Sequence, residues 1–259
     1  MKTRAAIFTN SILTIILVTV FSFGLRAQNS DTDITKQDRP TGEFKGVKVS
    51  NGIQVYLTQG ENTSVSVETY SDKQEVVKTE VKDGILKIYI HGRYNKKNSP
   101  KVYVSSPKFE SIIGENASSV KCEASINSEK MYIDFSSAAE LEGTFIGREI
   151  NGDFSSAASA KLTVTASELY VEISSGASAD IIGTTDKFLL DAGSGAEINA
   201  FDLASKKCTT TVSSGAEVNI QVEEELIGNA SSGSQITYKG NATSDLCSTS
   251  SGAEISHKK

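Results

Sequence analysis

Four carboxylates recur at one position of a repeating pattern. They are Asp134, Asp153, Glu172 and Asp191, each 19 residues from the next. Asn116, Thr211 and Asn229 continue the same column. A row of neighbouring carboxylates suits two chemistries. Hard cations such as Ca²⁺ gather several carboxylate oxygens, and carboxylates on adjacent coils can act as acid and base on a glycosidic bond. A second column holds Glu140, Glu197, Glu217, Gln235 and Glu254. If the coils stack at strand spacing, like charges about 5 Å apart repel by about 1 kcal/mol in water. The calcium-binding β-roll word, with paired glycines and aspartate, is absent. The column is therefore read as a hydrated outer face, with a cation or cationic ligand as its functional alternative.

Serine is the other reactive residue in quantity. The word Ser-Ser-small, often followed by Ala-Glu, recurs eight times with two departures, Gly193 before Ser194 and Val120 after Ser119; its second serine falls at Ser119, Ser137, Ser156, Ser175, Ser194, Ser214, Ser232 and Ser251. A nucleophilic serine occurs once, beside a base, whereas the only histidines here are His91 and His257. These serines are structural, and no catalytic residue is assigned. The two histidines are far apart in sequence and lack metal-ligand spacing; neither a metal nor a cofactor is assigned. Cys122, Cys208 and Cys247 fall at different phases of the repeat. Cys208 and Cys247 lie two repeats apart, about 10 Å at strand spacing, beyond the reach of a disulfide. Three free thiols are expected, with Cys208 as a small core residue.

The intervals between the repeat serines are 18, 19, 19, 19, 20, 18 and 19 residues. Self-similarity near 20 residues marks a solenoid whose repeats bury their apolar faces on one another. Counted from the second serine, position −2 holds Phe135, Phe154, Ile173, Ala192, Val212 and Ala230. Position −6 holds Met131, Ile150, Leu169, Phe188, Cys208 and Leu226. Positions +4 and +6 are also apolar. Apolar and polar columns alternate, so the segments are strands. Position +1 is Gly176, Gly195, Gly215, Gly233 and Gly252 in the later coils, which permits the positive φ of a sharp corner. Stacked serine hydroxyls could pass hydrogen bonds from coil to coil. Each coil is expected to be two short strands meeting at this corner and closed by a return loop. The fold class is all-β: a right-handed parallel β-helix of about eight short coils, roughly 35–40 Å long.

The chain divides into residues 1–27, 28–42, 43–112 and 113–259. The first has a basic start, an apolar run and Arg26-Ala27-Gln28, the pattern of a cleaved secretory signal peptide. Cleavage removes three cations and no acid, so the net charge of −6 becomes −9. Nucleic-acid binding needs clustered Lys and Arg and is not expected, nor is a membrane span after cleavage. Residues 28–42 are polar and read as a linker. Residues 43–112 alternate as strands without the repeat, with a hairpin turn at Asp83-Gly84, and should cap the first coil.

The run Phe44-Lys-Gly-Val-Lys-Val-Ser-Asn-Gly-Ile-Gln-Val-Tyr-Leu, with Asn51-Gly52-Ile53 at its centre, resembles the opening of the bacterial head GIN domain family. Pro107-Lys-Phe-Glu-Ser-Ile-Ile and the serial Ser-Ser-Gly-Ala-Glu words are similar to that family too, so the resemblance covers about residues 44–255. It implies an exported β-helical protein of the Bacteroidetes type, an adhesin head, with no catalytic residues to carry over. The sequence departs from an autotransporter, having no C-terminal membrane β-barrel, so self-transport is not expected. The resulting reading is an exported, non-enzymatic β-solenoid that presents a binding or adhesion surface at the cell envelope. Its partner would be a glycan or an extracellular protein surface. The alternatives are a carbohydrate-active enzyme using Asp134, Asp153 and Glu172, or an envelope structural protein that self-associates through a coil end.

Overall fold

A computed structural model describes residues 33–243 and 246–258. The segment 1–27 expected to be a signal peptide lies outside the described residues. The N-terminal region holds β1 (Ile34–Asp38), β2 (Gly46–Val49), β3 (Gln54–Gln59), β4 (Ser64–Tyr70), β5 (Val77–Lys82), β6 (Ile85–Ile90) and β7 (Lys101–Ser106). The coils follow as β8 (Ser111–Gly114), β9 (Ser119–Cys122), β10 (Ile126–Asn127), β11 (Lys130–Phe135), β12 (Glu140–Phe154), β13 (Ser159–Ile173), β14 (Ser178–Ala192), β15 (Glu197–Val212) and β16 (Glu217–Ala230). The last are β17 (Gln235–Lys239), β18 (Ser248–Thr249) and β19 (Glu254–His257). From β8 onward every pairing between successive coils is parallel. The chain is a β-solenoid of about eight turns.

The corner geometry follows from local sequence. At each corner the second serine and the residue after it both have positive φ, as at Ser137 (57°) and Ala138 (60°), and at Ser214 (54°) and Gly215 (71°). The residue beyond them is small and buried, as Ala139, Ala158, Ala177, Ala196 and Ala216. Its amide closes the turn onto the first serine, as from Ala139 N–H to the Ser136 carbonyl at 3.2 Å.

Coils are tied to one another here chiefly by backbone, with hydroxyl bonds added at Ser118, to Val49 O (3.3 Å), and Ser234, to Val212 O (2.9 Å). Ala138 N–H donates to the Ser156 carbonyl, Gly176 to Ser194, and Gly215 to Ser232, at 3.0–3.1 Å. The second serines are exposed, so the expected hydroxyl relay gives way to an amide ladder. That ladder also corrects the first repeat. Ser119 pairs with Glu140 and is not a corner. The first-coil corner is Asn116-Ala117, both at positive φ, and the one before it is Asn51-Gly52. Gly52 N–H donates to Asn116 O at 3.0 Å, and Ala117 N–H to Ser137 O at 2.9 Å. The ladder therefore begins inside the N-terminal region, and Asn116 leaves the acidic column, its place taken by Ile113 opposite Asp134.

A second difference concerns the return loop. β12 to β15 run unbroken from one corner to the next, 15 or 16 residues each. The register between β12 and β13 holds straight through Ile146↔Thr165 and Gly147↔Ala166. The coil bends there without losing its hydrogen bonds because the inward residues are small: Gly147, Ala166, Thr185 and Ser205. The 20-residue interval between Ser194 and Ser214 is absorbed as a register shift between Asp180 and Gly183 of β14 against β15.

The apolar columns fill one continuous core, with Phe135, Phe154 and Phe188 fully buried. Cys208 is buried in line with Phe188 and Leu226. All three cysteines are free. Burial pushes the Cys122 thiol up to about 12 and raises Cys208 as well.

The N-terminal region continues both sheets. β6 adds to β2 and β7 adds to β3, each in parallel. β5 pairs antiparallel with β6 across the Asp83-Gly84 turn, and β4 antiparallel with β7. The segment read as a polar linker supplies β1, antiparallel to β4. Its residues are almost all exposed; they contribute backbone pairing, a signal that apolar patterning cannot carry.

Candidate functional site

The acidic column assembles as one row. Asp134 pairs with Asp153, Asp153 with Glu172, Glu172 with Asp191, and Asp191 with Thr211. Asp134 and Asp153 are half-buried and Glu172 and Asp191 exposed. Partial burial raises the Asp134 carboxyl above the usual range, helped by Glu115 and opposed by Lys48 and Tyr132. Burial also raises Asp153, with Asp134 and Glu172 adding to it. The Tyr170 hydroxyl donates to Glu172 at 3.3 Å and to Asp191 at 3.4 Å. Burial and those two carboxylates push it up to about 12. The row is a flat stripe on a sheet face, with its carboxylates side by side. Among the described residues no group of three His, Cys, Asp or Glu side chains is placed to hold a metal ion. A glycosidase needs its two carboxylates on either side of the scissile bond, and side-by-side residues of one face do not supply that.

Two outward rows away on that face, beyond Tyr132, Asn151, Tyr170 and Leu189, the charges are balanced. Lys130, Glu149, Glu168 and Lys187 align in register. Glu149 accepts from Lys130 at 2.7 Å and Asn151 at 3.0 Å, and these two bonds, with Arg148, hold its carboxyl down to about 2.

The main concavity lies at the bend. A groove of about 1150 Å³ runs along the coils there. Its floor is the backbone around the small residues of the bend. The Ser128 hydroxyl is tied to the Lys130 carbonyl (2.8 Å), Thr185 to Lys187 (3.1 Å) and Ser205 to Gln221 (2.6 Å). One wall is the register-aligned row Ile146, Thr165, Thr184 and Ala204. The other carries Arg148, Ser167, Asp186 and Lys206. Arg148 pairs with Glu129 at 2.7 Å and Lys206 with Asp186 at 2.7 Å, so this wall is close to neutral. At the N-terminal end Gln59 donates to the carbonyls of Pro107 (3.1 Å) and Asn127 (3.0 Å) and accepts from Asn127 N–H (2.7 Å). From Asn127 to Glu223 the groove crosses six rungs, about 24 Å at strand spacing.

The family model described as "Putative auto-transporter adhesin, head GIN domain" matches residues 43–242. The chain belongs to the head GIN domain family. No curated protein matches it. Among solved structures, this head GIN domain is similar to a "putative adhesin" of Parabacteroides merdae. The TM-score is 0.84 at 13% identity, over 88% of this chain and 98% of that one. It is also similar to a "putative adhesin" of Parabacteroides distasonis, with TM-score 0.81, 17% identity and coverage of 88% and 98%. A "putative lipid binding protein" of the same species gives TM-score 0.80 at 18% identity, again over 88% and 98%. At these identities the likeness is one of fold. No helix among the described residues is long and apolar enough to cross a membrane.

The column reading brought Asp134, Asp153, Glu172 and Asp191 into one row and the corner residues Ser137, Ser156, Ser175, Ser194, Ser214, Ser232 and Ser251 onto one ridge. It missed the groove. The available signal was the small residue ten positions after a corner serine: Gly147, Ala166 and Thr185, with Ser205 eleven after.

Proposed function

We propose that this head GIN domain is an exported, non-enzymatic binding module that holds an extended, uncharged polymer in the groove along its bend. The observation that carries this reading is the groove itself: a straight channel across six rungs, walled by hydroxyl and methyl groups and by charges that cancel in pairs. A repeating channel suits a repeating ligand, because each coil offers the same contacts one strand spacing further on. Thr165, Ser167 and Thr184 supply hydroxyl partners for a glycan strand. The family and the adhesin names of its structural relatives support binding as the role. They also favour a place at the cell envelope.

A glycan and matrix-protein array probed with residues 28–259 tests the proposal. The expected result is a glycan signal that is lost in Thr165→Arg/Thr184→Arg, which fills the channel from its wall, and kept in Asp153→Asn. Loss in Asp153→Asn alone would move the site to the acidic row. A protein hit in place of a glycan would contradict the ligand class.

A further inference from the structure

The two ends of the solenoid are finished differently. At the N-terminal end, antiparallel β4, β1 and β5 lie outside the parallel coils. At the other end β19 pairs with β17, and no described strand covers its outer edge. Among the described residues the core is uncovered there. Ile255 is half-buried, while Val218 and Ile236 in the same column are fully buried. Leu246, in the same last coil, is 62% exposed.

The phase of β19 fixes which backbone groups face outward. Glu254 N–H donates inward to Ser234 O at 3.0 Å, and Lys258 N–H to Tyr238 O at 2.8 Å. Residues in a strand alternate, so Ile255 and His257 present their N–H and C=O groups to the open edge. An antiparallel partner strand must hydrogen-bond to those two residues. We propose that this edge pairs with a second copy of itself across a twofold axis at Ser256. In that register Ile255 faces His257 of the second copy, and His257 faces Ile255 of it. Each such pair exchanges two N–H···O bonds. The same register sets Glu254 opposite Lys258 of the second copy, twice over, and pairing would draw each Lys258 ammonium from the Phe201 ring it covers at 4.6 Å. Shifting the axis to residue 255 or 257 keeps the backbone phase and loses both charge pairs. The interface is isologous, and it brings the two half-open cores together at Ile255.

The test uses residues 28–259. Sedimentation of wild type on the order of 100 µM should give a dimer. Glu254→Lys and Lys258→Glu, each placing like charges together twice, should each weaken it by at least about tenfold. The double swap Glu254→Lys/Lys258→Glu should restore the dimer. A loss of fold would not be rescued in this way. Ser256→Cys lies on the axis, with Cα atoms about 4.5 Å apart in a non-hydrogen-bonded pair, within disulfide range. It should form a reducible covalent dimer under mild oxidation, and wild type should not. A monomeric wild type, a dimer indifferent to the charge changes, or no Ser256→Cys cross-link would each overturn the proposal.

Discussion

Each coil turns twice, and the two turns are built from different materials. The corner is a convex ridge of exposed serines and glycines at positive φ, and a Cβ added at Gly215 would meet nothing within 4 Å. The bend is a concave groove where backbones approach closely. A Cβ at Gly147, which lines it, would run into the Ser128 carbonyl oxygen. The ridge thus asks for a backbone conformation, while the groove asks for absent volume. A φ requirement selects the same few residue types in every coil. A volume requirement is met by Gly, Ala, Thr or Ser as each coil allows.

The largest effect should come from breaking the concave side. Gly147 lines the groove, and a Cβ there would run into the Ser128 carbonyl oxygen, so Gly147→Val should cost more than about 3 kcal/mol in chemical denaturation. Gly215→Val at the ridge should cost less, about 1–3 kcal/mol, since only the positive φ is strained. The stacked corners do not crowd a side chain there, because the nearest atoms lie beyond 4 Å. Equal losses for the two variants would erase the distinction between ridge and groove.

The corners, the core columns and the acidic row were legible because each repeats a residue type at a fixed offset. Ser119 was misplaced because its Ser-Ser mimics the word, while the true corner, Asn116-Ala117, meets the same φ demand with other letters. The groove was hidden for the converse reason: its inward column varies in type and is alike only in size. β1 is indistinguishable from a linker in the sequence because an exposed strand held by its backbone carries no apolar alternation.

The smallest effect concerns the face between the two turns. Asp134 and Asp153 have folded-state pKa values raised above the ordinary one. Such a group stabilises the fold fully below the unfolded value and loses that contribution as pH rises through the folded value. Melting temperature should therefore rise slightly as pH falls from about 6 to 4, and Asp153→Asn should flatten that rise. Below that range the trend reverses, because Glu149, held down to about 2 in the fold, begins to lose its ionised form. At neutral pH and low salt Asp153→Asn should be neutral or stabilising by about 0.5 kcal/mol at most, with the gain shrinking as salt rises. A melting temperature that rises with millimolar calcium in wild type and not in Asp153→Asn would instead make the row a cation site.

The site itself is tested most directly by hydroxyl-radical footprinting of residues 28–259, free and bound to the strongest glycan hit. Three well-exposed side chains report on three places: Ile146 on the groove wall (39% exposed), Tyr132 beside the acidic row (43%) and Ile182 (46%), outside the groove lining on the face that leads to its wall. Binding along the bend predicts protection of Ile146, with Tyr132 and Ile182 unchanged. Protection of Tyr132 with Ile146 still reactive would contradict it.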